Sequence, residues 1–302
     1  MAKERVVYLN GEIVPDSEAK VSIHDQGFTA GDAVFDNTRT FNGEIFKLKE
    51  HLDRLYRSCK YLRLDPGMSK ERMAELTQQV VDENWAIEQE DFWVIQRVTR
   101  GVPSPSHSSE DSGKCTVVIQ CEPIPFAARA HYYRDGIPVI TPSVRRTPPS
   151  SMSPRAKIQN YVNMTLATLE VEAQNPDAWA VLLDTDGNLC EGAGSNIFLV
   201  KDGAIFTPNE RYALQGVSRQ TVIELARELD IEMVETDMDL YDAYNADEAF
   251  ITSTSLCICP VSTINGATIG SGKLPGPVTT RLTGAYSGLV GLDIVQQYLS
   301  RL

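Results

Sequence analysis

One lysine in the second half of the chain lies where it could act as a nucleophile. Lys157 follows a proline- and serine-rich loop over 148–155 and precedes a segment, 158–172, whose apolar periodicity predicts a helix. A reactive lysine needs a lowered pKa, which the positive end of a helix or a cation such as Arg155 would favour. Alone, this pattern is typical of a solvated surface lysine.

Three further segments carry groups that could bind an anionic ligand. Two glycines follow Glu191 within three residues and would allow a ligand to approach the backbone closely. The segment 214–219 opens a predicted helix over 218–229, and the N–H groups at a helix N-terminus bind anions. A hydroxyl-rich turn covers 253–255, and Arg54 on an earlier predicted helix supplies a cation.

Together these groups match the requirements of pyridoxal 5′-phosphate. This cofactor needs a lysine for a Schiff base, a carboxylate that keeps the pyridine nitrogen protonated, and amides, hydroxyls and a cation for the phosphate. Lys157, Glu191 and Arg54 would take those roles. The alternative from another class is a non-catalytic acidic binding protein in which these residues are structural.

The predicted elements indicate an α/β (α+β) fold with two subdomains. Strands, hairpin turns and two helices occupy residues 1–120, which predicts a small N-terminal α/β domain. Prolines at 123 and 125 predict an extended interdomain linker over 121–131. Residues 132–302 then predict a larger C-terminal domain, which would hold the cofactor.

Composition excludes several other classes of protein. The 302 residues include 28 basic and 41 acidic side chains, a formal charge of −13, which disfavours nucleic acid and anionic membranes as partners. The six cysteines and four histidines lack the spacing of a metal site. The N-terminus has no signal-peptide pattern, and we expect reduced thiols in the cytoplasm.

Several motifs in order resemble the fold-type IV (class IV) pyridoxal-phosphate aminotransferases. The carrying segments begin at His51, Val98, Val144, Lys157, Glu191, Leu214 and Thr252. This family includes branched-chain and D-amino-acid aminotransferases, (R)-selective amine transaminases and aminodeoxychorismate lyase. The resemblance implies a homodimer with small-molecule substrates. It also implies cofactor contacts from Arg54, Lys157, Tyr161, Glu191, Leu214, Gly216, Val217, Ser218, Ser253 and Thr254.

The substrate is predicted less directly. The residues between Val144 and Tyr161 are similar to those of (R)-amine transaminases, and Arg39 matches branched-chain enzymes. The tyrosine and arginine that branched-chain enzymes carry near the substrate appear here as Ala30 and Ile95. Candidate substrate residues are Phe35, Arg39, Trp93, Ile95, His107 and Ser255.

The favoured reaction moves an amino group from an (R)-amine or amino acid to a keto acid such as pyruvate or 2-oxoglutarate. Arg39 could hold a substrate carboxylate or form a structural ion pair. Branched-chain or D-amino-acid transamination, and a lyase of the aminodeoxychorismate type, stay as alternatives.

Overall fold

The computed structural model describes residues 4–103 and 114–302, and the chain divides into two compact units. Unit 1 spans Met1–Ile124 and Ala156–Asn160, and unit 2 spans Pro125–Arg155 and Tyr161–Leu302. Both units combine helices with β-sheet. The predicted α/β fold class is therefore confirmed. No helix in the described ranges is long and apolar enough to cross a bilayer.

The described part of unit 1 contains a six-stranded antiparallel sheet. The strand order is β2-β1-β6-β5-β3-β4. The strands are β1 (Val6–Leu9), β2 (Glu12–Pro15), β3 (Ala33–Phe41), β4 (Glu44–Ile45), β5 (Phe92–Thr99) and β6 (Thr116–Pro123). The helices are α1 (Gln26–Ala30), α2 (Leu48–Leu62) and α3 (Lys70–Glu88).

Strand alternation separates the core of unit 1 from its opposite sheet face. Val34 of β3 and Val94 of β5 are fully buried and belong to one hydrophobic cluster with Leu55 of α2 and Val80 of α3. Neighbouring side chains along a strand point to opposite faces. The cross-strand register therefore groups six residues on the other face: Phe35, Asn37, Arg39, Trp93, Ile95 and Arg97.

Unit 2 contains a nine-stranded sheet over the described residues, with the main order β12-β11-β10-β13-β14-β7-β8-β9 and β15 beside β14. A further pairing of Asn196 with Glu191 joins β10 to β9, so part of this sheet closes on itself. The strands are β7 (Ile137–Ile140), β8 (Trp179–Leu183), β9 (Leu189–Gly192), β10 (Asn196–Lys201), β11 (Ala204–Thr207), β12 (Met233–Glu235), β13 (Glu248–Ser253), β14 (Cys257–Ile264) and β15 (Ala267–Thr268).

The helices of unit 2 are α4 (Phe126–Asp135), α5 (Val162–Glu172), α6 (Val217–Glu228), α7 (Leu240–Tyr244), α8 (Pro277–Val290) and α9 (Gln296–Leu299). The middle of its sheet is apolar. Phe198 and Phe250, opposite each other on β10 and β13, stack with ring centroids 4.8 Å apart. The polar residues Glu191 and Asn196 form the pair that closes the sheet.

The stretch predicted as a linker, 121–131, is extended only in its first part, around the two prolines. Strand β6 continues to Pro123, and α4 begins at Phe126. Pro125 is the N-cap of that helix, a position where its missing N–H costs nothing. The units divide between Ile124 and Pro125, but Ala156–Asn160 packs with unit 1 although it lies in the predicted C-terminal domain.

The helix predicted over 158–172 begins later, at Val162. Ile158 instead pairs with Val34 as an isolated β-bridge, so the residues around it are extended. The spacing of Val162, Leu166 and Leu169 predicts that they form the inner face of this helix, but α5 buries a different face. Its buried residues are Met164, Ala167 and Val171, whereas Val162, Leu166 and Leu169 are exposed.

Candidate active site

In unit 1 the backbone of Lys157 is held beside β3. The Phe35 N–H donates to the Lys157 carbonyl at 3.1 Å, and the Gln159 N–H donates to the Ala33 carbonyl at 2.8 Å. The Lys157 N–H donates to Oγ of Ser58, a buried residue of α2, at 3.0 Å. Lys157 is therefore fixed by strand pairing, and the predicted helix N-terminus is not adjacent to it.

The Lys157 side chain meets an aromatic ring. Its Nζ lies 4.4 Å from the ring centroid of Phe35. An ammonium group is attracted to an aromatic face, and the ring also shields one side of the amine from water. The structure thus brings together two predicted site residues, Lys157 and Phe35.

A buried polar cluster in unit 1 orients Arg54. Asp36 is fully buried, and its carboxylate accepts hydrogen bonds from Arg54 Nε at 2.8 Å and Arg54 Nη2 at 2.7 Å. His51 Nδ1 lies 2.7 Å from the same carboxylate. Arg54 was predicted from the sequence, whereas the roles of Asp36 and His51 were not. The only sequence signal was the i, i+3 spacing of His51 and Arg54 on one helix.

The charges in this cluster follow from burial and contact. Burial alone would raise the pKa of Asp36, but the Arg54 charge and the hydrogen bonds outweigh it and hold the pKa well below 3.8. Burial lowers the pKa of His51 below 6.5, and Asp36 opposes this only in part. His51 is therefore neutral at pH 7, and its Nδ1–H donates to the ionised Asp36.

In unit 2 a buried carboxylate is clamped between two donors. Glu191 on β9 is buried. Its Oε1 accepts from Arg146 Nε at 2.9 Å, and its Oε2 accepts from the Leu214 N–H at 2.8 Å. These charge-assisted bonds orient the carboxylate. The structure thus joins the predicted residues Glu191 and Leu214, and adds Arg146.

The N-terminus of α6 lies next to this carboxylate along the same network. Asn196 Nδ2 donates to the Leu214 carbonyl at 3.0 Å. Gly216 is the N-cap of α6, and no side chain caps the helix there. A Cβ at Gly216 would lie 2.2 Å from Asn196 Oδ1, so a larger residue here would displace the Asn196 side chain. Val217 and Ser218 form the first turn, whose N–H groups suit a phosphate.

The hydroxyl-rich turn between β13 and β14 is also in unit 2. Ser253 Oγ accepts from the Leu256 N–H at 3.1 Å, and Ser255 Oγ accepts from Arg129 Nη1 at 2.5 Å. Thr254 lies between them at the turn. Two buried hydroxyls, Thr252 Oγ1 and Ser195 Oγ, have no hydrogen-bond partner among the described residues. Such orphaned groups suit a polar ligand.

The remaining predicted residues are placed as follows. Arg39 is 1% exposed, and its Nη2 lies 3.8 Å from Asp91 Oδ2. Trp93 and Ile95 share the sheet face of Phe35. Tyr161 is the N-cap of α5 in unit 2. His107 lies outside the described residues.

The amino-acid sequence and fold are similar to those of known enzymes. The family described as amino-transferase class IV matches residues 33–264. A Methanocaldococcus jannaschii protein assigned as a branched-chain-amino-acid aminotransferase is 40% identical over 91% of this chain and 93% of its own length. D-alanine aminotransferase of Bacillus licheniformis is 31% identical, over 90% and 93% of the two chains.

The fold comparison agrees with the sequence comparison. The crystal structure of the Escherichia coli branched-chain amino acid aminotransferase superposes with a TM-score of 0.87. It is 30% identical, and the superposition covers 95% of this chain and 95% of that one.

Proposed function

Since this chain belongs to the class IV aminotransferases, which depend on pyridoxal 5′-phosphate, we propose that Lys157 is the residue that binds this cofactor and transfers the proton. Lys157 carries the proposal because its backbone is fixed by Phe35 and Ser58 while its Nζ lies against the Phe35 ring. A catalytic amine must be held in place and partly shielded from water to act as a base.

Residues of unit 2 suit the cofactor by their chemistry. When bound, the cofactor supplies an electron sink that weakens the bond between the substrate carbon and its hydrogen. Glu191 would hold the pyridine nitrogen, because its clamped carboxylate stays an acceptor. The first turn of α6, with Gly216, Val217 and Ser218, would bind the phosphate. Thr252 and Ser195 offer buried hydroxyls for the same ligand.

Five further predicted residues complete the proposed cofactor site. Arg54 would add a cation for the phosphate, with its guanidinium plane set by Asp36. Leu214 would pack against the pyridine ring of the cofactor. Tyr161 would contact the cofactor near the cofactor's phenolic oxygen. Ser253 and Thr254 would supply hydroxyls from the turn after β13.

During turnover Lys157 Nζ would remove the proton from the substrate carbon that bears nitrogen and return it on the cofactor side. His51 stays neutral beside it, and the charge of Lys157 contributes to that lowered pKa after burial and Arg54.

The proposed substrate is an amino acid with an apolar side chain, such as a branched-chain amino acid, with a 2-oxo acid as acceptor. Phe35, Trp93 and Ile95 give the sheet face beside Lys157 an apolar surface. The similarity to branched-chain enzymes favours this choice. The same apolar surface would also suit the aryl group of an (R)-amine, which is the second candidate.

The Lys157→Ala variant tests the assignment. We expect loss of at least about a thousandfold in transaminase rate, because general acid–base and covalent catalysis are both removed. Borohydride should bleach the wild-type cofactor band and label Lys157, but should not label the variant. The exposed Lys201→Ala variant is the matched control and should keep wild-type activity. Near-normal turnover by Lys157→Ala would contradict the proposal.

A substrate panel separates the candidate reactions. Pyruvate and 2-oxoglutarate would each be combined with L-leucine, D-alanine and both enantiomers of 1-phenylethylamine. Preference for L-leucine with 2-oxoglutarate supports the branched-chain reaction, and preference for (R)-1-phenylethylamine supports the second candidate. Pyruvate release from 4-amino-4-deoxychorismate without any amino acceptor would instead identify a lyase.

A homodimer and a cytoplasmic location complete the proposal. Ile23 and Phe28 of unit 1 are 69% and 75% exposed, and exposed apolar side chains are typical of subunit interfaces. All six cysteines are free thiols, which suits a reducing compartment. Light scattering of the purified protein tests the dimer, and a monomeric active enzyme would contradict it.

A further inference from the structure

One arginine on the sheet face beside Lys157 is not explained by the fold. Arg97 lies on β5, and its Nη1 donates to Oε1 of Gln120 on the neighbouring strand β6. Gln120 in turn donates to Glu122. Arg97 forms no salt bridge with a carboxylate of the described residues. Within the described part of the chain, its positive charge is therefore hydrogen-bonded to one neutral amide.

Arg39, on the same sheet face, is a clear contrast. It is almost completely buried and lies close to Asp91. Its Nε donates to the Thr40 carbonyl at 3.0 Å, and its guanidinium carbon lies 4.0 Å from the ring centroid of Phe41. These contacts explain Arg39 as a structural residue, so it is a poor candidate for binding a substrate carboxylate.

The strand register places Arg97 close to the reacting lysine. Arg97 is directly opposite Phe35 in the antiparallel pairing of β5 with β3. Opposed residues have Cβ atoms about 4.5–5.5 Å apart. Phe35 is the residue whose ring contacts Lys157 Nζ. Arg97 is thus the direct cross-strand neighbour of Phe35, whose ring contacts the lysine amine.

We propose that Arg97 binds the carboxylate of the amino acid and 2-oxo acid substrates, an inference that rests on the proposed transaminase function. A guanidinium binds a carboxylate through two parallel hydrogen bonds, which fixes both position and orientation. Ile95 and Trp93 precede it on the same face, so an apolar side chain and a charged group could be held side by side.

The electrostatics of Arg97 agree with this role. Burial lowers the pKa of Arg97, and the charge of Glu122 opposes that effect. The Gln120 amide lies between the two charged groups, since it accepts from Arg97 and donates to Glu122. A partly desolvated cation without an ion-pair partner gains more from an incoming carboxylate than a fully solvated one.

The test compares ligands with and without a carboxylate. Holoenzyme would be titrated with 4-methylvalerate, which has the carbon skeleton of leucine without its amino group, and binding would be measured by calorimetry. Turnover would be measured with L-leucine and with 3-methylbutylamine, which is leucine without its carboxylate. The variants are Arg97→Leu and Arg97→Lys, and Arg72→Leu on α3 is the control because it removes an equally charged but exposed side chain.

We expect Arg97→Leu to weaken 4-methylvalerate binding about 10- to 100-fold and to raise the KM for L-leucine similarly, with a smaller change in kcat. Arg97→Lys should lie between Arg97→Leu and wild type, and Arg72→Leu should match wild type. Arg97→Leu should reduce turnover of 3-methylbutylamine far less than turnover of L-leucine. Wild-type affinity for 4-methylvalerate in Arg97→Leu, or an equal loss with leucine and the amine, would overturn the proposal.

The two proposals fail in different ways. If wild-type protein binds 4-methylvalerate but has no turnover that depends on Lys157, the proposed function is refuted. The binding comparison between wild type and Arg97→Leu would still decide the role of Arg97.

Discussion

Removing the charge of Asp36, which forms a buried ion pair with Arg54, should destabilise unit 1 strongly. The Asp36→Asn substitution keeps the size of the side chain but removes its charge. The carboxylate now accepts from Arg54 Nε and Nη2, from His51 Nδ1 and from the Asn37 N–H. An asparagine amide has only one acceptor oxygen, so at least one of these donors would face an N–H₂ group.

The magnitude follows from burial. Asp36 is fully buried and Arg54 is 4% exposed, so the guanidinium would stay in place without its counter-ion. Breaking a buried pair by removing one partner costs about 3–5 kcal/mol. We therefore expect Asp36→Asn to lower the free energy of unfolding by that amount. It should also weaken cofactor binding, because the plane of Arg54 is no longer fixed.

The same substitution at Asp53 is the matched control. Asp53 immediately precedes Arg54 and pairs with Lys49 at 3.1 Å and with Lys70 at 2.6 Å. The two lysine side chains are 84% and 45% exposed, so water screens these pairs. An exposed pair is worth less than about 1 kcal/mol, and Asp53→Asn should change stability by no more.

Urea unfolding of wild type and both variants at pH 7.5 gives the comparison. The assay should be run on cofactor-free protein, so that cofactor affinity does not enter the free energy. Cofactor titration of the same samples then measures the effect on binding. If Asp36→Asn and Asp53→Asn lower the free energy of unfolding equally, the argument that burial makes the Asp36–Arg54 pair different is refuted.

Two further predictions concern the helix N-terminus in unit 2 and the buried histidine. Gly216→Ala should weaken cofactor affinity at least about tenfold, because its Cβ would displace Asn196, whereas Gly288→Ala on α8 meets no atom within 4 Å and should leave cofactor titrations unchanged. Because the pKa of His51 is lowered in the folded protein, the unfolded chain is protonated at this residue at a higher pH than the folded protein is. The contribution of His51 to stability is therefore complete above pH 6.5 and is lost as the pH falls below that value. Between pH 7.5 and 5.5, the free energy of unfolding measured with urea should fall less in His51→Asn than in wild type, by up to about 1.4 kcal/mol per pH unit. The asparagine keeps a donor for Asp36. An unchanged pH dependence in His51→Asn would contradict that interpretation.

Local patterns in the sequence were enough to propose which residues could form the site. A glutamate on a strand followed by glycines and a glycine before a helix are short-range features, and both kept their local structure. Helix α6 begins one residue before the predicted start at Ser218, with Gly216 as its N-cap. Such features depend on residues within one turn or one strand, so they can be read without knowledge of the partners.

Contacts between distant segments were decided by the tertiary structure. The helix predicted from Ile158 failed there because that residue pairs with Val34, which is more than a hundred positions away in the chain. Periodicity also misplaced the inner face of α5, since a helix with apolar residues on several sides does not specify which side packs inward.

The pairing of charges depends most on the folded structure. The sequence left Arg39 open between a substrate contact and an ion pair, and only the strand register and the position of Asp91 distinguish them. The sequence does not show that Asp36 binds Arg54 and His51, because these contacts form only when β3 packs against α2. The order of residues establishes which reactive groups are present, whereas tertiary packing establishes which charges are neutralised, because an ion pair needs contact within a few ångströms and not proximity along the chain.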